Sequence, residues 1–171
     1  MKSGRVDVGL LNPKSPANVG AVLRAVGCFE GDGVFFTGTR FARASRYHTD
    51  TRRVGDAMTP QHVDSLVAAR GDSALVCVEW VEGATALPDF VHPSQAFYAF
   101  GPEDGTLDQA LIDQADAVVY VPTTGCLNLA AAVNVVLYDR EAKRRTREYG
   151  DELVRGNRDT NNTVRVPRRE R

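Results

Sequence analysis

The sequence predicts an α/β domain, a mainly parallel sheet with helices on both faces, and three observations carry that prediction. Short apolar runs of strand length alternate with segments of helical periodicity. Clusters of turn residues, such as Asn12-Pro13 and Glu30-Gly31-Asp32-Gly33, stand between them. The chain, at 171 residues, has the length of one domain with one hydrophobic core.

Taken in order, Val6–Leu11 is the first strand, turned by Asn12-Pro13. Ser15 then occupies a helix N-cap position with Pro16 at the first helical residue, where a missing N–H loses no bond. Val19, Val22, Leu23 and Val26 recur at helical spacing until Glu30–Gly33 stops the helix ahead of a strand over Val34–Thr37. The arginine-rich segment that follows has no sustained period and reads as a long loop, a feature that compact domains keep for function. Pro60 opens a short helix to about Arg70, followed by strands at Ala74–Trp80 and Ala96–Phe100. A helix is predicted over Thr106–Ala115 with Leu107, Leu111 and Ile112 inward, then a strand over Ala117–Val121. The last helix begins near Asn128, apolar to Leu137 and polar from Asp139 to Glu148, which predicts a buried first half and a projecting second half. From Gly150 onward no apolar period remains, so residues 1–148 read as the folded domain and 149–171 as a basic tail, flexible or ordered on binding.

Composition narrows the function class. With 43% apolar and 25% charged residues the chain is neither disordered nor fibrous. The longest apolar run, Leu129–Tyr138, is broken by Asn134 and too short to cross a bilayer, and the start of the chain lacks the apolar segment of a signal peptide. A cytoplasmic protein with no membrane partner is expected. Cys28, Cys77 and Cys126 show neither metal-ligand nor redox spacing, which argues for a reducing compartment and against a disulfide framework or a metal site.

The net charge of −1 conceals an asymmetry. Arg140–Arg171 holds eleven Lys/Arg against six Asp/Glu, and Arg40–Arg53 holds Arg40, Arg43, Arg46, Arg52 and Arg53 against Asp50. Between them, Val54–Asp139 carries one arginine and twelve acids. Two basic islands flanking an acidic stretch suit a surface that neutralises RNA phosphates, and equally suit a solvated loop and a frayed tail.

A wound sheet directs attention to the loops after its strands. The glycine spacing of a dinucleotide fingerprint is missing after the first strand, and no Walker lysine motif occurs, which disfavours phosphate-tailed cofactors. Three stretches stand out instead. The first runs from Asn12 to Ala25 and includes Asn18, Gly20 and Arg24, the last two on one helix flank away from the apolar face. The second is Phe100-Gly101-Pro102-Glu103-Asp104-Gly105, and the third runs from Val121 through Pro122, Gly125, Cys126, Leu127 and Asn128 to Ala130.

In order and spacing these stretches resemble the three motifs of the SpoU/TrmH class of the SPOUT superfamily of RNA methyltransferases, over roughly residues 6 to 140. The resemblance implies a deep trefoil knot near the C-terminus, bent S-adenosylmethionine as cofactor, and a homodimer. It implies an RNA 2′-O-methyltransferase; tRNA is the expected substrate ahead of rRNA, because a compact enzyme suits a small substrate. The alternatives are an rRNA enzyme and a catalytically idle RNA- or cofactor-binding module. By the same resemblance Arg24 and Asn18 are catalytic, and Val78, Glu79, Gly101, Glu103, Val121, Pro122, Cys126, Leu127 and Asn128 hold the cofactor, while the charge asymmetry assigns Arg40, Arg43, Arg46, Arg52 and Arg53 to RNA. Two departures stand against the family pattern: Cys126 replaces a serine of the third motif, and Ala130 and Ala131 follow Asn128 where a small polar residue is usual.

The chemistry agrees with this reading. Methyl transfer to a ribose hydroxyl needs a largely apolar pocket, backbone groups for the nucleoside and in-line placement of a weak nucleophile, with no metal. Arginine stays protonated, so Arg24 suits pinning a phosphate and stabilising oxyanion charge better than abstracting a proton. Asn18 would orient Arg24 or the ribose, and Glu103 would hold an arginine or cap the helix beginning near Thr106. Each residue also has a plainer role: Asn18 and Asn128 as helix-end groups, Arg24 in a surface ion pair, and Cys126 as a small filler.

Overall fold

The computed structural model describes residues 4–45, 58–145 and 147–167. Its strands are β1 (Val6–Leu10), β2 (Gly33–Phe36), β3 (Gln61–His62), β4 (Ala74–Val78), β5 (Thr85–Ala86), β6 (Ala96–Phe100) and β7 (Ala117–Tyr120). All pair in parallel in one sheet of order β3-β2-β1-β6-β4-β7-β5. The helices are α1 (Pro16–Cys28), α2 (Arg40–Ser45), α3 (Leu66–Ala69), α4 (Gln109–Ile112), α5 (Leu129–Arg144) and α6 (Asp151–Asn157). Strand β6 is central, with Tyr98 in register with Val8 of β1 on one side and Val76 of β4 on the other.

Because side chains alternate across a strand, the apolar strands build two cores at once. Val8, Leu10, Val34, Phe36, Val76, Tyr98 and Val119 pack on one face with Val19, Val22 and Val26 of α1 and Val133 and Val136 of α5. Phe35, Leu75, Cys77, Phe97 and Ala99 form the other face with Leu66 and Leu111. At Gly9 a side chain is excluded, since a Cβ there would lie 2.3 Å from Cε1 of Phe97. Burial also pushes the Cys77 thiol up to about 12, so it packs as an inert apolar group.

Several sequence expectations need correction. The helix expected from Pro60 begins at Leu66, where the Ser65 side chain accepts the Ala68 N–H, and residues 61–62 pair instead as β3. The Thr106–Ala115 helix shortens to Gln109–Ile112, capped by Asp108. The arginine-rich loop contains α2, and part of the tail is α6, although no residue of either helix is buried.

The second half of α5 does not project. Arg140 is buried and donates to the carbonyls of Pro93 (2.6 Å) and Ser94 (2.8 Å) and to the Tyr98 hydroxyl (3.2 Å). Lys143 donates to the Leu87 and Phe90 carbonyls, and Arg144 to those of Pro93 and Ser94. Between them His92 bridges Tyr98 (Nδ1 to Oη, 2.6 Å) and Asp139 (Nε2 to Oδ2, 2.8 Å). These polar side chains clamp the helix to the segment leading into β6, where the periodicity alone suggested a solvated face.

Candidate active site

In a parallel sheet every strand ends at the same edge, so the loops after β4, β6 and β7 meet at one place. They enclose a cleft of about 250 Å³, with apolar walls from Phe100, Leu127, Leu129 and Ala132. Its polar positions include Glu79, Glu103 and Asn128.

A directed chain of hydrogen bonds joins the three sequence stretches here. Glu103 accepts the backbone N–H of Lys14 (2.8 Å) and of Ser15 (3.0 Å), just before α1, and the side-chain amide of Asn18 (3.1 Å). A carboxylate only accepts, so the Asn18 nitrogen faces Glu103 and its Oδ1 is turned to receive Asn128 Nδ2 at 3.1 Å. That in turn aims Asn128 Oδ1 at the N–H groups of Ala130 (2.9 Å) and Ala131 (3.4 Å), capping α5. Burial opposes ionisation of Glu103, but the hydrogen bonds from Ser15, its own backbone, Lys14 and Asn18 outweigh it and hold the carboxyl below the ordinary glutamate range. Glu103 therefore caps the start of α1 and not the helix after Thr106.

Two further ties set the loop. Glu79 accepts the N–H of Leu107 (2.8 Å) and of Trp80 (2.9 Å), so its carboxylate braces the wall between the β4 and β6 ends. Arg40 donates to both carboxylate oxygens of Asp104 at 2.8 Å and to the Asn12 carbonyl at 2.6 Å. Asn12 takes a left-handed conformation (φ 43°) at this turn, which asparagine tolerates better than most residues. The hydrogen bond from the single Arg40 nitrogen Nη1, shared between both oxygens, holds Asp104 below the ordinary aspartate range.

Of the residues expected to hold a cofactor, Val78, Glu79, Gly101, Glu103, Val121, Cys126, Leu127 and Asn128 line the cleft together, and Pro122 is outside its lining. Asn18 is joined to the cleft through Glu103 and Asn128. Arg24 is exposed on α1, does not line the cleft of its own chain and has no hydrogen bond or ion pair among the described residues. Arg40, expected at an RNA phosphate, is half-buried and pairs with Asp104 and the Asn12 carbonyl, whereas Arg43 is exposed. Arg46, Arg52 and Arg53 lie outside the described residues. Sequence reasoning missed Trp80 and Tyr120, which both border the cleft with ring centroids 5.5 Å apart. Their position just past apolar strands was the available signal.

Among the described residues no group of three His, Cys, Asp or Glu side chains is placed to hold a metal ion. No helix among them is long and apolar enough to cross a membrane.

Comparison with known proteins places these features in a family context. Residues 5–138 match the model of the SpoU rRNA methylase family. An uncharacterized tRNA/rRNA methyltransferase of Mycobacterium ulcerans is 31% identical over 147 residues, covering 81% of this chain and 47% of the relative. The chain thus spans about half the length of the curated relatives it matches. The structure of the SpoU methyltransferase AviRb from Streptomyces viridochromogenes, in complex with AdoMet, superposes with a TM-score of 0.66 at 22% identity, over 85% of this chain and 60% of that one. A structure addressing the 2-OH methylation of C/U34 on tRNA superposes with a TM-score of 0.63 at 21% identity, over 85% of this chain and 99% of that one.

Proposed function

The chain belongs to the SpoU rRNA methylase family, and from that premise we propose that it is an S-adenosylmethionine-dependent RNA methyltransferase acting on a ribose 2′-hydroxyl, with tRNA as substrate. The observation that carries this reading is the relay from Glu103 through Asn18 to Asn128, which ties the three motif loops around one cleft. An idle module would have no need of so complete a relay. The relative that contains AdoMet supports the cofactor, and the structure of tRNA 2-OH methylation, whose chain this one covers almost fully, supports the substrate.

The cleft suits a nucleoside cofactor. Val78, Val121, Leu127 and Leu129 offer apolar walls for the nucleoside, and the loops around Gly101 and Gly125 bring backbone groups to it. Gly125 has open space where a Cβ would stand. Cys126, in place of the family's serine, leaves backbone contacts of this loop intact. When bound, the cofactor supplies an electrophilic methyl group on sulfur. Arg24, a guanidinium that is always protonated, does not accept the proton of the ribose hydroxyl, which would leave to water. Arg24 pins the neighbouring phosphate and stabilises charge developing on the oxygen, and Asn18 holds the α1 end in register with the cleft.

Arg24 reaches a cleft by association of two chains, so that it serves the partner's site. The exposed flank of α1 bears Gly20 and Arg24, and the neighbouring face of α5 exposes Val135 and Tyr138, as a self-complementary interface would. The chain's return from edge strand β5 to central β6 is consistent with the knotted path of the family. The tail 149–171 and the exposed Arg43 contribute phosphate contacts, and the enzyme works in the cytoplasm. The test is methyl transfer from labelled S-adenosylmethionine to total tRNA and, separately, to rRNA, with the labelled nucleotide mapped. Labelled tRNA that loses its label when the mapped position is 2′-deoxy is expected. Label on rRNA alone replaces the substrate, label on a base replaces the chemistry, and cofactor binding without label on either RNA overturns the enzyme.

A further inference from the structure

Trp80 is the chain's single tryptophan, and 53% of it is exposed. It belongs to neither apolar core, although a tryptophan gains more from burial than almost any other side chain. Its ring stands 5.5 Å from that of Tyr120 at an interplanar angle of 59°, and both rings border the cleft. The backbone beneath is held firmly: Glu79 Oε1 accepts the Trp80 N–H at 2.9 Å, Glu79 Oε2 accepts the Leu107 N–H at 2.8 Å, and the Glu79 N–H donates to the Val119 carbonyl at 2.9 Å. The indole is therefore mounted on the ends of β4 and β7 and not on a swinging loop.

We propose that Trp80, backed by Tyr120, is the face on which the base of the target nucleotide stacks when RNA presents its ribose to the cleft. The proposal rests on the RNA methyltransferase reading and adds to it the residue that receives the base. A ribose brought to a cleft pulls its base away from its neighbours, and proteins that bind unstacked RNA replace the lost contact with an aromatic side chain. The charge distribution favours a base over a phosphate at this rim. Among the described residues, no Lys or Arg lines the cleft, while Glu79 and Glu103 do. The adenine of the cofactor has the apolar interior of Phe100, Leu129 and Ala132 available, leaving the exposed indole outside it. Because every base has a π-face, the platform tolerates any base and prefers the larger purines.

The test uses the full chain with Trp80→Ala and Trp80→Phe, measuring affinity for total tRNA, affinity for S-adenosylhomocysteine, single-turnover methylation and melting temperature. Trp80→Ala is expected to weaken tRNA binding about tenfold, the loss typical of one base stack, with S-adenosylhomocysteine affinity and melting unchanged. Trp80→Phe should recover most of the loss. In the parent, whose indole fluorescence comes from Trp80 alone, tRNA should quench the emission. Unquenched emission on tRNA binding, tRNA affinity of Trp80→Ala within about twofold of the parent, or a phenylalanine variant as weak as the alanine one each overturns the proposal while leaving the enzyme reading in place. An equal loss of S-adenosylhomocysteine affinity overturns it too, by assigning the ring to the cofactor's adenine. A parent that neither binds nor methylates RNA sinks both readings together.

Discussion

Helix α5 is held at both ends by polar side chains, and the two ends differ in what surrounds them. At its start, Asn128 donates to Asn18, which donates in turn to Glu103 beside an open cleft. At its far end, Arg140 and His92 are buried against Tyr98 and the Pro93 and Ser94 carbonyls. The first network joins loops around the cleft, and the second joins largely buried groups. On the proposed function the geometry of the first governs chemistry, and satisfaction of the second governs how the helix docks.

Substitutions sharpen this contrast. The largest effect is expected from Arg24→Ala, which removes an exposed side chain with no hydrogen bond or ion pair among the described residues. Turnover should fall about 100-fold to 1000-fold, or ~3–4 kcal/mol, by loss of one preorganised electrostatic group. Melting temperature and cofactor affinity should hold. A rate within about threefold of the parent would leave the mechanism without its central residue.

The converse pattern belongs to Arg140→Met, which removes the donor to the Tyr98 hydroxyl and the closer of two donors to the Pro93 and Ser94 carbonyls, leaving those carbonyls to Arg144 at 3.1 and 3.2 Å. Denaturant unfolding should show a loss of about 2–4 kcal/mol, while the rate per folded molecule stays near the parent's. A large fall in rate with unchanged stability would erase the distinction between the two ends. Asn18→Ala cuts the relay at its middle and should weaken S-adenosylhomocysteine binding by roughly tenfold, about 1.4 kcal/mol, near the lower end for one hydrogen bond to a charged group. Calorimetry decides it, and unchanged affinity would reduce the relay to a helix cap.

The smallest effect is a slope. Asp139 can only accept, so His92 Nε2 carries the proton and Nδ1 receives the Tyr98 hydroxyl, which is the neutral ring. Burial holds the His92 pKa below its ordinary value of 6.5; Asp139 acts the other way, and Lys143 and Arg140 add to the lowering. A histidine depressed in the fold binds its proton first in the unfolded chain. Its stabilising contribution is full above the ordinary value and is lost as pH falls from there toward the folded value. Melting temperature should therefore decline on acidification below about pH 6.5, and His92→Gln should flatten that part of the profile. An unchanged profile would show that His92 does not titrate in this window.

How much of this could be read in the sequence follows from which forces are local. The strands and α1 were legible because burial imposes a period, and Ser15-Pro16 marks a helix start whatever packs on it. Strand β5, two residues long, carries no period, and the placement of β6 between β1 and β4 is a long-range pairing with no local signature. Pro60 misled because the chemically similar start signal at Ser65 stood five residues on. The second half of α5 misled for a deeper reason: Arg140, Lys143 and Arg144 have the composition of a solvated face, yet their partners are backbone carbonyls of residues 87–94, which no side-chain pattern announces. At the site, motif spacing identified the three loops, whereas the partners of Glu103 and of Arg40 depend on how loops distant in sequence meet.

Helix α1 carries two glycines, Gly20 in its interior and Gly27 in its last turn, and a methyl group added at either would meet nothing within 4 Å among the described residues. Each lowers helix propensity by about 1 kcal/mol relative to alanine. A single chain folding alone would be more stable with alanine at both, so a screen for thermal stability would select those replacements. Judged by its own fold, the helix is built below its attainable stability, and a stabilised α1 is the variant in which folding and function are expected to part.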